Sequence, residues 1–307
     1  MTSSGLSPRP DFTIAHLSDT HFLAGKAPWG GVIDTDAQIG SALRQLERSG
    51  RTPDAIVITG DLTDLGEPEA YARLRSLVEP VAHDLGATLV WVMGNHDERP
   101  HFSRELLDRE IDGPAEDHPQ DRVYDVRGLR IVSFDSTVPG YHHGDVSPQQ
   151  LEWLAGVLAD PAPHGTLLAL HHPPIKTPLE LMNVLQLRHQ DDLADVLRGT
   201  DVRAILGGHL HYSTFGLVAG IPVSVASATC NTIDLAAPRR ELVQVDALRT
   251  FSLVHIYRDG ITHSSVPVDE YEPVERLDSG FLARIEAMTP EQQLDAFSRK
   301  RAVGETS

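Results

Sequence analysis

The sequence predicts an α/β protein with covered, mixed β-sheets. Three features point there: short apolar runs that each stop at polar residues, amphipathic helical patterns between them, and later runs that fold back on themselves through glycine turns. The first run, 12–17, is mostly apolar and stops at Ser18-Asp19. The same design recurs at 54–59, ending on Gly60-Asp61, and at 88–93, ending on Gly94-Asn95. It returns at 167–170, ending on His171, and at 202–206, ending on Gly207-Gly208-His209. Buried strands read this way, with both faces covered.

Helices fill the gaps. Ile39, Leu43 and Leu46 form one apolar stripe after Thr35, with Gln38 completing an expected capping box. Tyr71, Leu74, Leu77, Val78 and Val81 line a second. Ser147-Pro148-Gln149-Gln150 is a strong start signal for a third, striped by Leu151, Leu154 and Leu158. A fourth is expected over 190–197, closed by Gly199. The pairs 123–126 with 130–134, and 251–257 with 261–266, read as hairpins turning at Gly128 and Asp259-Gly260, so the sheets should be mixed. Two short helices, 281–288 and 290–300, close the chain, the second capped by Thr289 with Gln292. They offer a packing surface, with a homo-oligomer as one use. Residues 1–10 read as a disordered lead-in.

Composition narrows the partners. Asp+Glu number 44 against 26 Lys+Arg, a net charge of −18, which disfavours nucleic acid and anionic membranes. A small phosphate ester is still permitted, because bound cations would supply local positive charge. Cys230 is the only cysteine, so no intrachain disulfide forms and the cytoplasm is the expected compartment. No run approaches the ~18 apolar residues of a membrane span, and the N-terminus lacks a signal-type apolar core.

The five strand endings carry the chemistry: Asp19-x-His21, Gly60-Asp61-x-x-Asp64, Gly94-Asn95-His96-Asp97, His171-His172 and Gly208-His209-Leu210-His211. Any one of them alone is ordinary turn or surface chemistry. All five in order, each ending an apolar run, are not. Ligands bind beyond the carboxyl ends of strands in open α/β sheets, and carboxylate, amide and imidazole donors suit Mn, Fe or Zn. A pair of ions needs a bridging carboxylate, for which Asp61 is the candidate.

This ordered set resembles the calcineurin-like metallophosphoesterase superfamily over roughly residues 13–228. The segments Leu170-His171-His172-Pro173-Pro174, Gly208-His209-Leu210-His211-Tyr212 and Thr137-Val138-Pro139-Gly140, with His142-His143-Gly144, are similar to bacterial class III cyclic nucleotide phosphodiesterases. The resemblance implies a sandwich of two mixed sheets flanked by helices, with a catalytic domain over 11–270 and a helical tail over 271–307. It implies that Asp19, His21, Asp61 and His211 hold one metal, and that Asp61, Asn95, His171 and His209 hold a second. Two transition-metal ions per chain follow, Mn and/or Fe, with Zn also compatible. His171 is preferred to His172 because it ends the apolar run directly. His172 is then expected behind the ligands or facing substrate. His96 resembles the family's catalytic histidine, His142 a substrate-binding one, and Asp64 and Asp97 acceptors that orient ligands or His96.

The implied reaction is hydrolysis of the 3′,5′-cyclic nucleotides cAMP and cGMP to 5′-nucleotides. A phosphodiester needs its charge neutralised and a nucleophile at neutral pH, so a metal-bridging hydroxide is expected, with His96 assisting the leaving oxygen. A broader phosphodiesterase or nucleotide-pyrophosphate hydrolase would use the same ligands, its specificity set by the loops 25–33, 99–120 and 176–188. A non-enzymatic metal-binding module would not need both Asn95 and His96. Phe22, Trp29 and Tyr212 are candidates for stacking a base, while His16, His83, His101, His118, His164, His189 and His263 read as core or surface residues.

Overall fold

A computed structural model of the protein describes residues 9–114, 118–268 and 272–299. The lead-in expected at 1–10 lies outside the described residues except for its last two, as do residue 300 of the last expected helix and the chain beyond it. The first half comprises β1 (Phe12–Leu17), α1 (Thr35–Arg48), β2 (Ala55–Thr59), α2 (Pro68–Leu85), β3 (Thr88–Val92) and α3 (Arg99–Leu107). Next come β4 (Arg122–Val126), β5 (Leu129–Ser133), β6 (Thr137–Val138), β7 (Tyr141–Gly144), α4 (Pro148–Leu158), β8 (Thr166–Ala169), α5 (Gln190–Leu197) and β9 (Val202–Gly207). Then follow β10 (Thr214–Val218), β11 (Ile221–Val225), β12 (Thr232–Ile233), β13 (Gln244–Val245), β14 (Thr250–Tyr257) and β15 (Gly260–Pro267), before α6 (Ser279–Glu286) and α7 (Pro290–Ser298).

Two large mixed sheets result. One has the order β15-β14-β1-β2-β3, with β1, β2 and β3 parallel and β14 and β15 antiparallel. The other runs β10-β11-β9-β8-β5-β4, parallel through its centre and closed by a hairpin at each edge. Strand alternation explains how they stack. Phe12, Ile14, Val57 and Val92 point one way and meet Ile131, Leu167, Ala169 and Leu206 in a shared core between the sheets. Their neighbours Ala15, Leu17, Ile56 and Ile58 point outward onto α1 and α2 through Ile39, Leu43, Tyr71 and Leu74. On the far side Leu168, Ile205 and Val223 pack with Leu154, Leu158, Leu193 and Leu197 of α4 and α5. The layers are therefore helix, sheet, sheet, helix.

Local signals held in most places and failed in three. The Ser147–Gln150 and Thr289–Gln292 capping boxes form. At α1 the cap is instead Asp34, whose carboxylate accepts from Ala37 N–H at 2.9 Å, and Thr35 is the first helical residue. The stretch 99–120, expected as a loop, opens with α3, whose Phe102 and Leu106 are buried. The β10–β11 hairpin was not anticipated. The tail helices α6 and α7 belong to a second compact unit, in which Phe281 and Phe297 meet edge to face at 5.8 Å. Among the described residues no helix is long and apolar enough to cross a membrane.

Candidate metal centre

The loops after β1, β2, β3, β8 and β9 meet at one end of the two sheets. They are laced by backbone bonds: Asp19 N donates to Gly60 O at 3.0 Å, His21 N to Asp61 O at 2.9 Å, and Gly208 N to His171 O at 3.0 Å. The approach is close enough that a Cβ on Gly94 would strike the Asp61 backbone nitrogen, and one on Gly208 would strike Ser18 Oγ. Five of the predicted ligand residues take left-handed backbone angles: Asp19 (φ 52°), His21 (46°), Asp61 (47°), His209 (68°) and His211 (57°).

Asp19, His21, Asp61 and His211 form one buried cluster, with one ligand atom from each lying within 4.8 Å of the others. His21 Nε2 stands 3.2 Å from His211 Nε2 and 3.6 Å from Asp61 Oδ2, and His211 Nε2 is 3.3 Å from Asp19 Oδ1. The outer nitrogens are held by acceptors, His21 Nδ1 by Asp64 Oδ1 at 2.8 Å and His211 Nδ1 by Asn231 Oδ1 at 2.6 Å. Each neutral ring then presents an Nε2 lone pair to the same point.

A second convergence lies beside it. His171 Nδ1 donates to Thr59 O at 2.8 Å, leaving Nε2 facing Asn95 Oδ1 at 3.1 Å and Asp61 Oδ2 at 3.3 Å. His209 Nε2 bonds Leu185 O at 3.1 Å, so its Nδ1 carries the lone pair, and its ring lies 5.0 Å from that of His171. Acceptors facing acceptors in a buried place fit a cation, and Asp61 borders both groups. Burial works against charge on Asp61, yet His171, His96 and His21 hold its carboxyl well below the usual range. Burial likewise opposes charge on His171, but Asp61 and Asp19 push it up to about 9. His209 is driven well below its ordinary value by burial and by His172 and His171.

The remaining predicted residues sort by contact. His96 N donates to Asp61 Oδ1 at 2.8 Å and its Nδ1 to Asp64 O at 2.9 Å, and its ring is 4.8 Å from that of His142. His142 Nδ1 accepts from Asn95 Nδ2 at 2.9 Å. His172 sits behind the ligands with both nitrogens engaged, Nδ1 with Ser136 Oγ at 2.9 Å and Nε2 with His142 O at 3.2 Å. Burial and neighbouring His171 lower it to about 3. Asp64 Oδ1 meets His21 Nδ1, and its backbone oxygen meets His96 Nδ1. The Asp97 carboxylate accepts from Gly94 N, Leu62 N, Thr63 N and Tyr71 OH at 2.9–3.1 Å, stapling together the loops that carry Asp61 and Asn95.

Asn231, which the motifs did not single out, fixes His211. Its only sequence signal is a polar stretch after the apolar run of β11. Phe22 and Tyr212 cannot stack a base, since both are core residues, 0% and 5% exposed. Trp29 stays near the site, its Nε1 donating to Asp64 Oδ1 at 3.0 Å. Two cavities open on the cluster. One of about 390 Å³ is bordered by Asp64, Asn95, His96 and the β6–β7 hairpin. The other, about 230 Å³, lies over Asp61, His209 and His211 and is walled by Leu181, Met182, Leu185, Ile233 and Leu242.

Buried histidine and carboxylate lone pairs on strand ends of a two-sheet sandwich define a metallophosphoesterase site, and the chain belongs to the calcineurin-like phosphoesterase family, whose model matches residues 12–213. Among its relatives, a cAMP/cGMP dual specificity phosphodiesterase of Mycobacterium tuberculosis is 53% identical over 267 residues, 87% of this chain and 83% of that protein. A glycerophosphodiester phosphodiesterase of Enterobacter lignolyticus is 28% identical over 223 residues, 72% of this chain and 78% of that protein. In fold the chain is similar to a dimetal phosphatase from Danio rerio, with a TM-score of 0.60 at 16% identity, over 85% of this chain and 98% of that structure.

Proposed function

We propose that the protein hydrolyses 3′,5′-cyclic nucleotides, cAMP and cGMP, to 5′-nucleotides with two transition-metal ions. The observation that carries this reading is the pair of lone-pair convergences on either side of Asp61, in a chain 53% identical to a cAMP/cGMP phosphodiesterase. Asp19, His21, Asp61 and His211 would hold one ion, and Asp61, Asn95, His171 and His209 the other. The donor set favours Mn or Fe and accepts Zn. When bound, the ions supply charge neutralisation at the phosphodiester and acidify water.

The protein's own groups do the rest. His96 Nδ1 is tied to Asp64 O, so Nε2 is the atom that meets substrate. Protonated there, it gives its proton to the O3′ leaving oxygen as the P–O3′ bond breaks and water's oxygen joins phosphorus. His142, its ring 4.8 Å from that of His96, binds the phosphodiester beside it. The apolar wall of Met182, Leu185 and Leu242 receives the base. We assign catalysis to 11–270, which contains every candidate ligand, and the cytoplasm as compartment, consistent with the single buried Cys230.

A broader phosphodiesterase is the second reading. The glycerophosphodiester phosphodiesterase relative favours it, as does a substrate wall built of flexible side chains. Steady-state kinetics with added Mn on cAMP, 2′,3′-cyclic AMP and a glycerophosphodiester separates the two. A kcat/KM for cAMP far below that for the glycerophosphodiester would leave only the broader activity.

A further inference from the structure

The β6–β7 hairpin carries His142 to the site, yet it is hollow on both faces. Thr137, Val138 and Pro139 border the 390 Å³ cavity beside His96 and also a cavity of about 360 Å³ on the far side, toward Ser147 and Gln150. A ribbon of two short strands has little stability of its own, so its position depends on how its ends are tied.

His172 bridges the two strands, its Nδ1 bonded to Ser136 Oγ just before the entering strand and its Nε2 to His142 O on the returning one. Arg99 adds a second tie to the entering strand. It opens α3, three residues after His96, and is 5% exposed. Its Nε donates to Asp135 Oδ2 at 2.9 Å and its Nη2 to Thr137 O at 3.0 Å. Asp135 is itself buried, and its Oδ1 accepts from Thr137 N at 2.8 Å and Thr137 Oγ1 at 2.7 Å. One continuous chain of bonds thus joins the backbone that bears His96 to the base of the hairpin that bears His142.

We infer that Arg99, acting through Asp135, is a positioning residue that sets where His142 stands against Asn95 and His96. Arg99 borders the substrate cavity, so a direct phosphate clamp is the competing role. Against it, the guanidinium is buried and already spans Asp135 and Thr137 O. The inference rests on the phosphodiesterase reading of the site.

A double-mutant cycle on the full-length, Mn-loaded protein tests it, with Arg99→Lys, His142→Ala and the pair. Arg99→Lys should lower kcat/KM for cAMP by about 10- to 100-fold, the scale of a displaced binding group. The double variant should fall no more than about twofold below His142→Ala alone, because coupled residues are not additive. Asp135→Asn should reproduce Arg99→Lys although Arg99 keeps its charge, and it carries the test if Arg99→Lys folds poorly. Amide exchange across 137–144 should quicken in both variants while metal content stays at the wild-type level. Multiplicative losses in the cycle, or wild-type kcat/KM in Asp135→Asn, would overturn the positioning role. Absence of cAMP hydrolysis by the wild-type protein would instead sink the substrate assignment, and the exchange rates would still decide the tie.

Discussion

His21 Nε2 and His211 Nε2 face each other at 3.2 Å, each on a ring whose other nitrogen is already bonded to an oxygen acceptor. Two neutral rings so placed oppose lone pair to lone pair. Either a proton or a metal ion relieves this. Burial resists the proton, but the Asp19 carboxylate pushes His211 well above its ordinary value. Proton and metal therefore compete for one position.

Purified protein is expected to take up about two transition-metal ions per chain and release protons as it does so. Apparent affinity should weaken as pH falls and His211 holds its proton. Elemental analysis together with unbuffered calorimetric titration checks both; one ion at saturation with full activity would refute the paired centre.

Neighbours Asn95 and His96 should fail differently. Asn95→Ala removes an oxygen facing His171 Nε2, so metal and activity should be lost together. His96→Ala should retain both ions yet lose about 10²–10⁴-fold in turnover of an ester with a poor leaving group. Metal analysis beside kcat separates the two, and a wild-type rate in His96→Ala would remove it from the mechanism.

Asn231→Ala should weaken metal binding by about 10- to 100-fold without touching the ions itself, since it frees the His211 ring to rotate and change tautomer. Competition with a calibrated chelator reads the change. An unaltered affinity would mean that the Asp19 contact alone fixes the ring.

Most of this site was legible because a strand end is a local feature. An apolar run that stops at Asp, Asn or His announces both a buried strand and the donor it presents, as at Asp19 and His171. Asp97 was half legible: its place beside His96 suggested a polar partner, but only the folded loops show three backbone N–H groups converging on it. The β10–β11 hairpin was hidden because its apolar residues Phe215 and Leu217 face outward, 58% and 72% exposed, which inverts the usual pattern. Helix α3 was missed because it is only nine residues long and its apolar stripe is two residues, Phe102 and Leu106.

Gly94→Ala should destabilise the fold by about 1–3 kcal/mol, the usual cost of overpacking, because its methyl group has the Asp61 backbone and carboxylate in the way. Asp61 would shift, so metal binding should fall in parallel with the midpoint of thermal unfolding. A variant that keeps both would show that the loops have slack.

Asp121 gives the pH prediction. Burial, with the Asp135 charge nearby, raises its carboxyl to about 7. The folded chain therefore holds a proton that the unfolded chain releases at ordinary carboxylate values. That stability is fully present at acid pH and is lost as pH rises toward 7. Asp121→Asn should flatten the slope of unfolding free energy between pH 5 and about 7.5. Parallel urea titrations across that range measure it; an unchanged slope would assign the proton elsewhere.

The left-handed angles at Asp19, His21, Asp61, His209 and His211 have an evolutionary consequence. Each side chain there costs the metal-free chain about 1 kcal/mol that glycine would not. Backbone strain alone would favour glycine at each of these positions, yet glycine at Asp19 or Asp61 would also strip the acceptor from His209 N or His96 N. The strain is locked in by the same buried bonds that build the site, so evolutionary drift at any one of the five is opposed by its neighbours.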